Sequence, residues 1–434
     1  MRIVIFTPFL YPFYVDIAKV LADNVYVLIL TCGVYGNYPF QKYLRYAKVL
    51  RCANVAGTKV LLPFSIFQLI RNKPHVVIIF GIESVAGIMI YFVAKLIKAK
   101  SVVVVEENNI HYPLLNSLLY KIKLAIIRYI YANAPLMLIE SEASQKYVFN
   151  ILQVNRTKPF ILRVHGIDTV RFLKSQELPR DKARNIIANL AGVPRNIIEK
   201  KWWIAFIGEP SFSKGADILI DAINILYHQF PKVTKDVIFL FPNMPLLRDR
   251  PDLQLQYQRK LNELLLKGIV ILYRPIYPEF MPLFYRAVDI VVVPSRLFTN
   301  MSSDRSPNVP MEALASGNIV VASYAGGIPT IVGDSGILIK PNDPQALSTS
   351  LKRILQDIDT YMYLKQKGRM RALYLFDARY YVLHLLTYLK KFCESRVFHK
   401  AFTLNYGKIK VLVSCDEDFI ASHLAKTLVR AGYK

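Results

Sequence analysis

Asp304 and Glu312 stand eight positions apart on either side of a short loop. Glu312 falls on the first turn of a helix whose Ala313, Leu314 and Ala315 are small or apolar. A carboxylate held beside such a helix can accept two hydrogen bonds from a ribose, and a second one across the loop can do the same for a sugar. The plain alternatives are a helix-dipole partner for Glu312 and a loop cap for Asp304. Upstream, Ile204-Ala-Phe-Ile-Gly208 reads as a strand ending in glycine, followed by Glu209-Pro-Ser-Phe-Ser-Lys214-Gly215 and a helix over Ala216 to Leu226. A glycine-bounded loop entering a helix offers backbone N–H groups and the positive end of the macrodipole to a phosphate, and Lys214 adds a point charge. A third cluster, Glu106-Glu107-Asn108-Asn109-Ile-His111, follows the apolar run Val102–Val105. Two acids and two amides at a strand's carboxyl end can orient a hydroxyl or a developing positive charge. Glu107 and Asn108 are the favoured pair; a polar turn is the alternative, and for His111, nearby, it is the preferred one.

Positioning these groups requires a scaffold. Short Val and Ile runs recur between helix-length amphipathic stretches, the pattern of an α/β chain wound around buried parallel sheets. The first series is Ile3–Phe6, Tyr26–Leu30, Val76–Phe80, Val102–Val105, Leu136–Ile139 and Phe160–Val164. The second is Trp203–Ile207, Val237–Phe241, Ile269–Tyr273, Ile290–Val293, Ile319–Ala322 and Gly336–Ile339. Two doubly wound, Rossmann-like domains are expected, over 1–173 and 201–376, with a polar linker over 174–200 that holds one helix, Asp181 to Ala191. A return helix follows over 377–400, and the tail, 401–434, adds a strand and a helix, Lys408–Ser414 and Phe419–Ala431. Ligands of such domains bind at the carboxyl ends of the strands, so the facing cleft is the expected active site.

The 434 residues are 53% hydrophobic and 20% charged, which excludes disordered and fibrous classes. Four cysteines without a CxxC pair provide neither a disulfide framework nor a zinc site, so a reducing, cytoplasmic setting is expected. The apolar runs Ile3–Val15, broken by Pro8 and Pro12, and Val85–Ala94 fall short of the ~20 residues of a membrane span. Fifty-six Lys and Arg against 31 Asp and Glu leave a net charge of +25, which favours polyanionic partners. The charge is uneven: residues 1–200 carry 26 basic and 11 acidic side chains, and residues 201–350 carry 14 and 13. Two segments of the basic half, Tyr38 to Arg51 and Leu114 to Tyr131, mix Lys and Arg with Tyr, Leu and Ile. Read as helices, they suit an anionic membrane surface, and snorkelling Lys on buried helices is the alternative. Nucleic acid is disfavoured as a partner, because no recognised module and no compact basic stripe with exposed aromatics is present.

Five ordered motifs carry a resemblance: Phe206-Ile-Gly with Lys214-Gly-Ala-Asp-Ile-Leu, Pro294-Ser, Asp304-x7-Glu312-Ala-Leu-Ala-Ser-Gly, Gly326-Gly-Ile-Pro, and Gly336-Ile-Leu-Ile-Lys-Pro-Asn-Asp-Pro. Together they resemble the retaining nucleotide-sugar glycosyltransferases of the GT-B fold, group-1 (family four) type. Val164-His-Gly-Ile-Asp168-Thr-Val-Arg-Phe172 is similar to the family's segment leading out of the first domain into the linker. The resemblance implies transfer of a hexose from a nucleoside diphosphate sugar to a hydroxyl acceptor, with no metal and no cofactor. It places Glu312 on the donor ribose and Asp304 on the hexose, and it sets Gly208, Lys214 and Gly215 at the diphosphate. The loop over Ser306, Pro307, Asn308 and Val309 supplies N–H groups, except at Pro307, which has none. The resemblance also implies that Glu107 faces the reacting sugar, with Asn108 and His111 on the acceptor side, and a lipid-linked or glycan acceptor at the inner face of the cell membrane is expected. The chain departs from the family at Glu209, where arginine is usual, at Asp304 for glutamate, at Thr330, and at Thr7–Tyr14, where a Gly-Gly loop is usual. These departures motivate two alternatives, a catalytically degenerate nucleotide- or glycan-binding protein and a glycosyltransferase acting on nucleic acid.

Overall fold

The computed structural model describes residues 1–394 except 9–11, 33–46, 51, 56–57, 106–117, 199–201, 299–300 and 303–306. The front lobe is a seven-stranded sheet. Its strands are β1 (Arg2–Thr7), β2 (Tyr26–Thr31) and β3 (Ala47–Val49), then β6 (Val76–Ile79), β7 (Lys100–Val105), β8 (Leu136–Ile139) and β9 (Phe160–Leu162), and β4 (Cys52–Val55) and β5 (Thr58–Leu61) form a separate antiparallel pair. The rear lobe is a six-stranded sheet of β10 (Trp202–Phe206), β11 (Val237–Pro242), β12 (Val270–Tyr273), β13 (Ile290–Val293), β16 (Ile319–Ser323) and β17 (Ile337–Ile339); β14 (Leu297–Phe298) and β15 (Met301–Ser302) make a two-stranded hairpin beyond β13.

The sheet orders are β3-β2-β1-β6-β7-β8-β9 and β12-β11-β10-β13-β16-β17, parallel throughout. Each order reverses once, between β1 and β6 and between β10 and β13, and such a reversal opens a crevice beyond the strands' carboxyl ends. Both sheets are covered on both faces, which is why their strands read as continuous apolar runs: Val76–Ile79, Leu136–Ile139 and Ile290–Val293 are buried at every position.

Two segments join the lobes. The stretch expected as a linker contains the helix Arg180–Ala191, whose Ala183, Ile187, Ala188 and Ala191 are buried in the rear-lobe core with Trp203 and Phe284. The return helix Ala378–Glu394 packs Tyr381, Val382, Leu385 and Leu389 on the front-lobe face that also holds Ile3, Ile5 and Val15. Where the two crossings meet, Ile167 N donates to Phe376 O at 2.7 Å and Ala378 N to Ile167 O at 2.9 Å. Asp377, fully buried, accepts from Thr169, from Arg379 N at 2.9 Å and from Arg379 Nε at 2.8 Å. A Cβ on Gly166 would come within 2.5 Å of Ala378 Cα, so only glycine lets the crossings approach.

The basic segments behave differently from each other. Ala47–Val49, expected within a helix, is instead an edge strand pairing with Ile29–Thr31, because the sheet edge satisfies its backbone; residues 38–46 and 51 lie outside the described residues. The second segment is a helix over Leu118–Asn133 with Ile127, Ile130 and Tyr131 inward and Lys121, Lys123 and Arg128 exposed. No described helix is long and apolar enough to cross a membrane.

Candidate active site

The chain leaving the carboxyl ends of β10 and β13 carries the expected donor-binding residues that are described. Beyond β10 the chain turns through Gly208, φ +114°, with open space where a side chain would stand. It then crosses to Gly215, φ +73°, where a Cβ would meet Pro294 O at 2.0 Å. That contact holds the Glu209–Lys214 loop against the end of β13, and Arg296 N reinforces it by donating to Ser213 O at 3.0 Å.

The loop's N–H groups are largely spent inside the protein. Asp249 accepts from Phe212 N at 2.8 Å and Ser213 N at 3.0 Å, and Lys214 N donates to Ser211 Oγ at 3.2 Å. Gly215 N and Ala216 N bond Phe212 O and Ser211 O. The expected cradle of backbone donors is therefore occupied from Phe212 to Ala216, and charge for an anion falls to side chains. Asp217, on the first turn of the following helix Ala216–Gln229, pairs with Arg296, whose guanidinium also lies 3.8 Å from the centre of the Phe212 ring.

Glu312 sits on the helix Asn308–Ser316, on its second turn rather than the expected first, because the helix already begins at Asn308. Its Oε2 accepts a hydrogen bond from Tyr285 at 3.0 Å, and Tyr285, fully buried, comes from the neighbouring helix Met281–Ala287. Burial pushes the Glu312 carboxyl up to about 7, against the pull of Arg171 and of the Tyr285 hydroxyl, and pushes Tyr285 well above its ordinary value. A carboxyl poised near neutrality and already holding one donor has acceptor capacity left for ligand hydroxyls.

Asn308, at the start of the same helix, reaches the other lobe: its Oδ1 lies 2.7 Å from His165 Nε2. His165 Nδ1 is 3.3 Å from Glu140 Oε1, and its ring stacks on Phe13 with centroids 4.2 Å apart. Val309 is half-buried against the rear-lobe core. Asp304, Ser306, Glu107, Asn108 and His111 lie outside the described residues, as does 401–434. Lys214, Gly208, Gly215, Asn308, Val309 and Glu312 all stand at the carboxyl-end side of the rear sheet. Tyr285, Arg171, Glu140 and Phe13 were not singled out by sequence. His165 and Arg171 carried a signal as part of the run Val164–Phe172, and Phe13 as part of the Thr7–Tyr14 segment. Among the described residues no group of three or more His, Cys, Asp or Glu is placed to hold a metal ion.

Residues 202–357 match the family described as glycosyl transferases group 1. The chain is 29% identical over 214 residues to a D-inositol 3-phosphate glycosyltransferase of Salinispora arenicola, covering 48% of this chain and 44% of that protein, so it spans less than half of that relative's length. Among solved structures it is similar to Anabaena HepE in complex with UDP, with a TM-score of 0.67 and 18% identity over 90% of this chain and all of that one. It is also similar to WaaG, a glycosyltransferase involved in lipopolysaccharide biosynthesis, with a TM-score of 0.62 and 14% identity over 88% of this chain and 98% of that one. Two parallel sheets each reversing order once give the chain the GT-B architecture of these solved structures, and its rear lobe, from β10 to the helix Pro344–Gln356, matches the group 1 glycosyl transferases.

Proposed function

We propose that the chain transfers a hexose from a nucleoside diphosphate sugar to a hydroxyl acceptor, with retention at the anomeric carbon and without a metal ion. The observation that carries this reading is Glu312: an enclosed carboxyl at the switch-point edge of the sheet, near neutrality and with acceptor capacity left, inside the segment that matches the family. The inositol-phosphate relative supports a hydroxyl acceptor, and the UDP held by HepE supports a uridine diphosphate leaving group.

On this reading Glu312 accepts the ribose hydroxyls and Lys214 meets the diphosphate. Asp304 and the Ser306–Val309 loop hold the hexose, and Glu107 with Asn108 orients the acceptor. The bond from the anomeric carbon to the phosphate oxygen breaks, the acceptor oxygen bonds on the same face, and the departing phosphate oxygen takes the acceptor's proton. Side-chain cations stabilise the charge that gathers on the leaving group. The acceptor is lipid-linked or a glycan at the cytoplasmic face of a membrane, a reading supported by exposed Lys121, Lys123 and Arg128 beside exposed Ile122 and Tyr129.

Radiolabelled nucleotide sugars incubated with the chain, EDTA and a panel of acceptors should yield free nucleoside diphosphate and a product of the donor's anomeric configuration. No release from any donor would overturn the transfer reading, and an inverted product would overturn retention. Sedimentation should recover several times more protein with anionic than with neutral vesicles; equal recovery removes the membrane surface.

A further inference from the structure

A second pocket lies at the opposite edge of the rear sheet. Its lining includes Val288, which leads into β13, and Gly317 and Asn318, which lead into β16, so it faces the strands' amino ends. The donor crevice lies beyond the carboxyl ends, a four-residue strand away, about 13 Å. The cavity measures about 310 Å³ and is lined by Arg180, Arg286, Lys365 and Arg369 together with Gln176 and Ser316. None of its described lining residues is acidic.

Asp289, a carboxylate that pairs with the lining residue Arg180, is itself fully buried. It is already shared by Arg180 at 2.5 Å, Arg184 at 2.8 Å and the N–H of Trp203 at 3.0 Å. Arg286 and Arg369 are held in place by Gln176 Oε1, at 3.4 and 2.9 Å, and Arg286 also by Leu178 O at 2.7 Å. Arg369 lies so close over Gly317, φ +69°, that a Cβ there would meet its Nε at 2.3 Å.

Fixed in this way, the pocket retains donors with nothing to donate to. Gln176 Nε2, Arg180 Nε, Ser316 Oγ and Arg369 Nε are buried and lack an acceptor. Buried polar groups are nearly always satisfied, and four orphaned donors gathered in one cationic cavity describe the complement of an oxyanion. Crowding leaves its mark on the cations: burial and the neighbouring arginines draw Lys365 down to about 8, and burial lowers Arg286 and Arg369. An anion relieves that repulsion.

We infer that this cavity binds a phosphate dianion, free or carried on a small polyol, with the planar forks of Arg180 and Arg369 and the Lys365 ammonium around its oxygens. The volume is roughly that of ten waters, more than a bare phosphate fills, which leaves room for an organic body. The lining also includes Tyr285, which donates to Glu312, but neither Glu312 nor Lys214 belongs to it, and the inference does not depend on the reading given for those two residues.

Calorimetric titration of the full chain at low ionic strength, in saturating UDP, tests the inference. Inorganic phosphate and a hexose 6-phosphate are the two probes, with chloride at matched ionic strength as the control. One equivalent should bind, and Lys365→Met and Arg369→Gln should each weaken it at least tenfold while circular dichroism melting stays cooperative. Hexose phosphate binding tighter than phosphate assigns the esterified form, and equal affinity assigns the free ion. No saturable binding beyond the chloride control, or both variants binding like the parent, overturns the inference. Should UDP itself not bind, the same titration without it remains valid, so failure of the donor reading is told apart from failure of this one.

Discussion

Replacing Glu312 with glutamine separates two things that the site asks of one carboxyl. The group rises from an ordinary 4.5 to about 7, chiefly because burial opposes its ionised form. Since the folded-state value lies above the unfolded one, the group costs no stability below about pH 4.5. The cost grows as pH rises and is complete above about 7. At 1.36 kcal/mol per unit, the shift amounts to a ceiling of about 3 kcal/mol at pH 8. Glutamine keeps an acceptor for the Tyr285 hydroxyl and cannot ionise. Glu312→Gln should therefore match the parent's stability near pH 4.5 and exceed it by up to about 3 kcal/mol at pH 8, which is roughly 6–12 °C in melting temperature for a lobe of this size. Over the same range it should lose UDP affinity, because hydrogen bonds to a charged acceptor are worth about 1.5–3 kcal/mol, or about ten- to 150-fold. Paired calorimetry and melting at pH 4.5, 6 and 8 read both effects. A stability gain independent of pH refutes the burial argument, and unchanged UDP affinity refutes the ribose assignment.

Glu209→Arg should strengthen UDP binding about five- to thirtyfold at low salt, since reversing a partly exposed charge beside a diphosphate is worth about 1–2 kcal/mol, and the gain should shrink in 0.5 M salt; a gain unmoved by salt would show another cause. Gly166→Ala should cost about 1–3 kcal/mol in denaturant unfolding, because the new methyl meets Ala378 Cα at 2.5 Å and N at 2.9 Å, both backbone atoms that cannot swing aside; an unchanged midpoint would deny the close crossing. Burial and adjacent Arg163 draw His384 from 6.5 down to about 4, so the stability tied to its neutral ring is present above pH 6.5 and lost as pH falls toward 4. His384→Gln should accordingly lose less stability than the parent between pH 7 and 4.5, up to about 3 kcal/mol less, and parallel urea midpoints for the two would sink the assignment.

The strands were legible because parallel sheets buried on both faces write themselves as apolar runs. Leu136–Ile139 and Ile290–Val293 fall where their composition places them, and the others differ by one or two residues at their ends. Ala47–Val49 was not, because three residues on a sheet edge carry too little pattern to outweigh the surrounding Lys-Tyr spacing. Glu312 and Lys214 were visible through motif spacing, which local structure preserves. Tyr285 and Glu140 were invisible for the converse reason. Tyr285 lies 27 positions from the Glu312 carboxyl that it bonds, and His165 lies 143 from Asn308, so only packing brings them together. Residues such as Arg369 and Gln176, 193 apart, could not be associated from sequence at all.

In the Glu209–Lys214 loop the turn falls where its spacing places it, while the backbone donors expected of it are turned elsewhere. Glycines at 208 and 215 do enclose a turn into a helix, and Gly215 is required by its approach to Pro294 O. Yet Asp249, arriving from 34 residues beyond the turn's end, takes the two N–H groups that such a turn would ordinarily offer, and Ser211 takes a third. Backbone dipoles are insensitive to salt at short range, whereas side-chain cations at a partly exposed edge are screened. On the proposed reading a diphosphate docking here is met mainly by Lys214, with Arg296 tied to Asp217 and Glu209 opposing it. The same rear lobe thus holds an acid-bearing edge short of backbone donors and, a strand length away, a pocket with four donors to spare. That contrast is why salt and phosphate, rather than pH alone, are the conditions under which the two edges of this sheet separate.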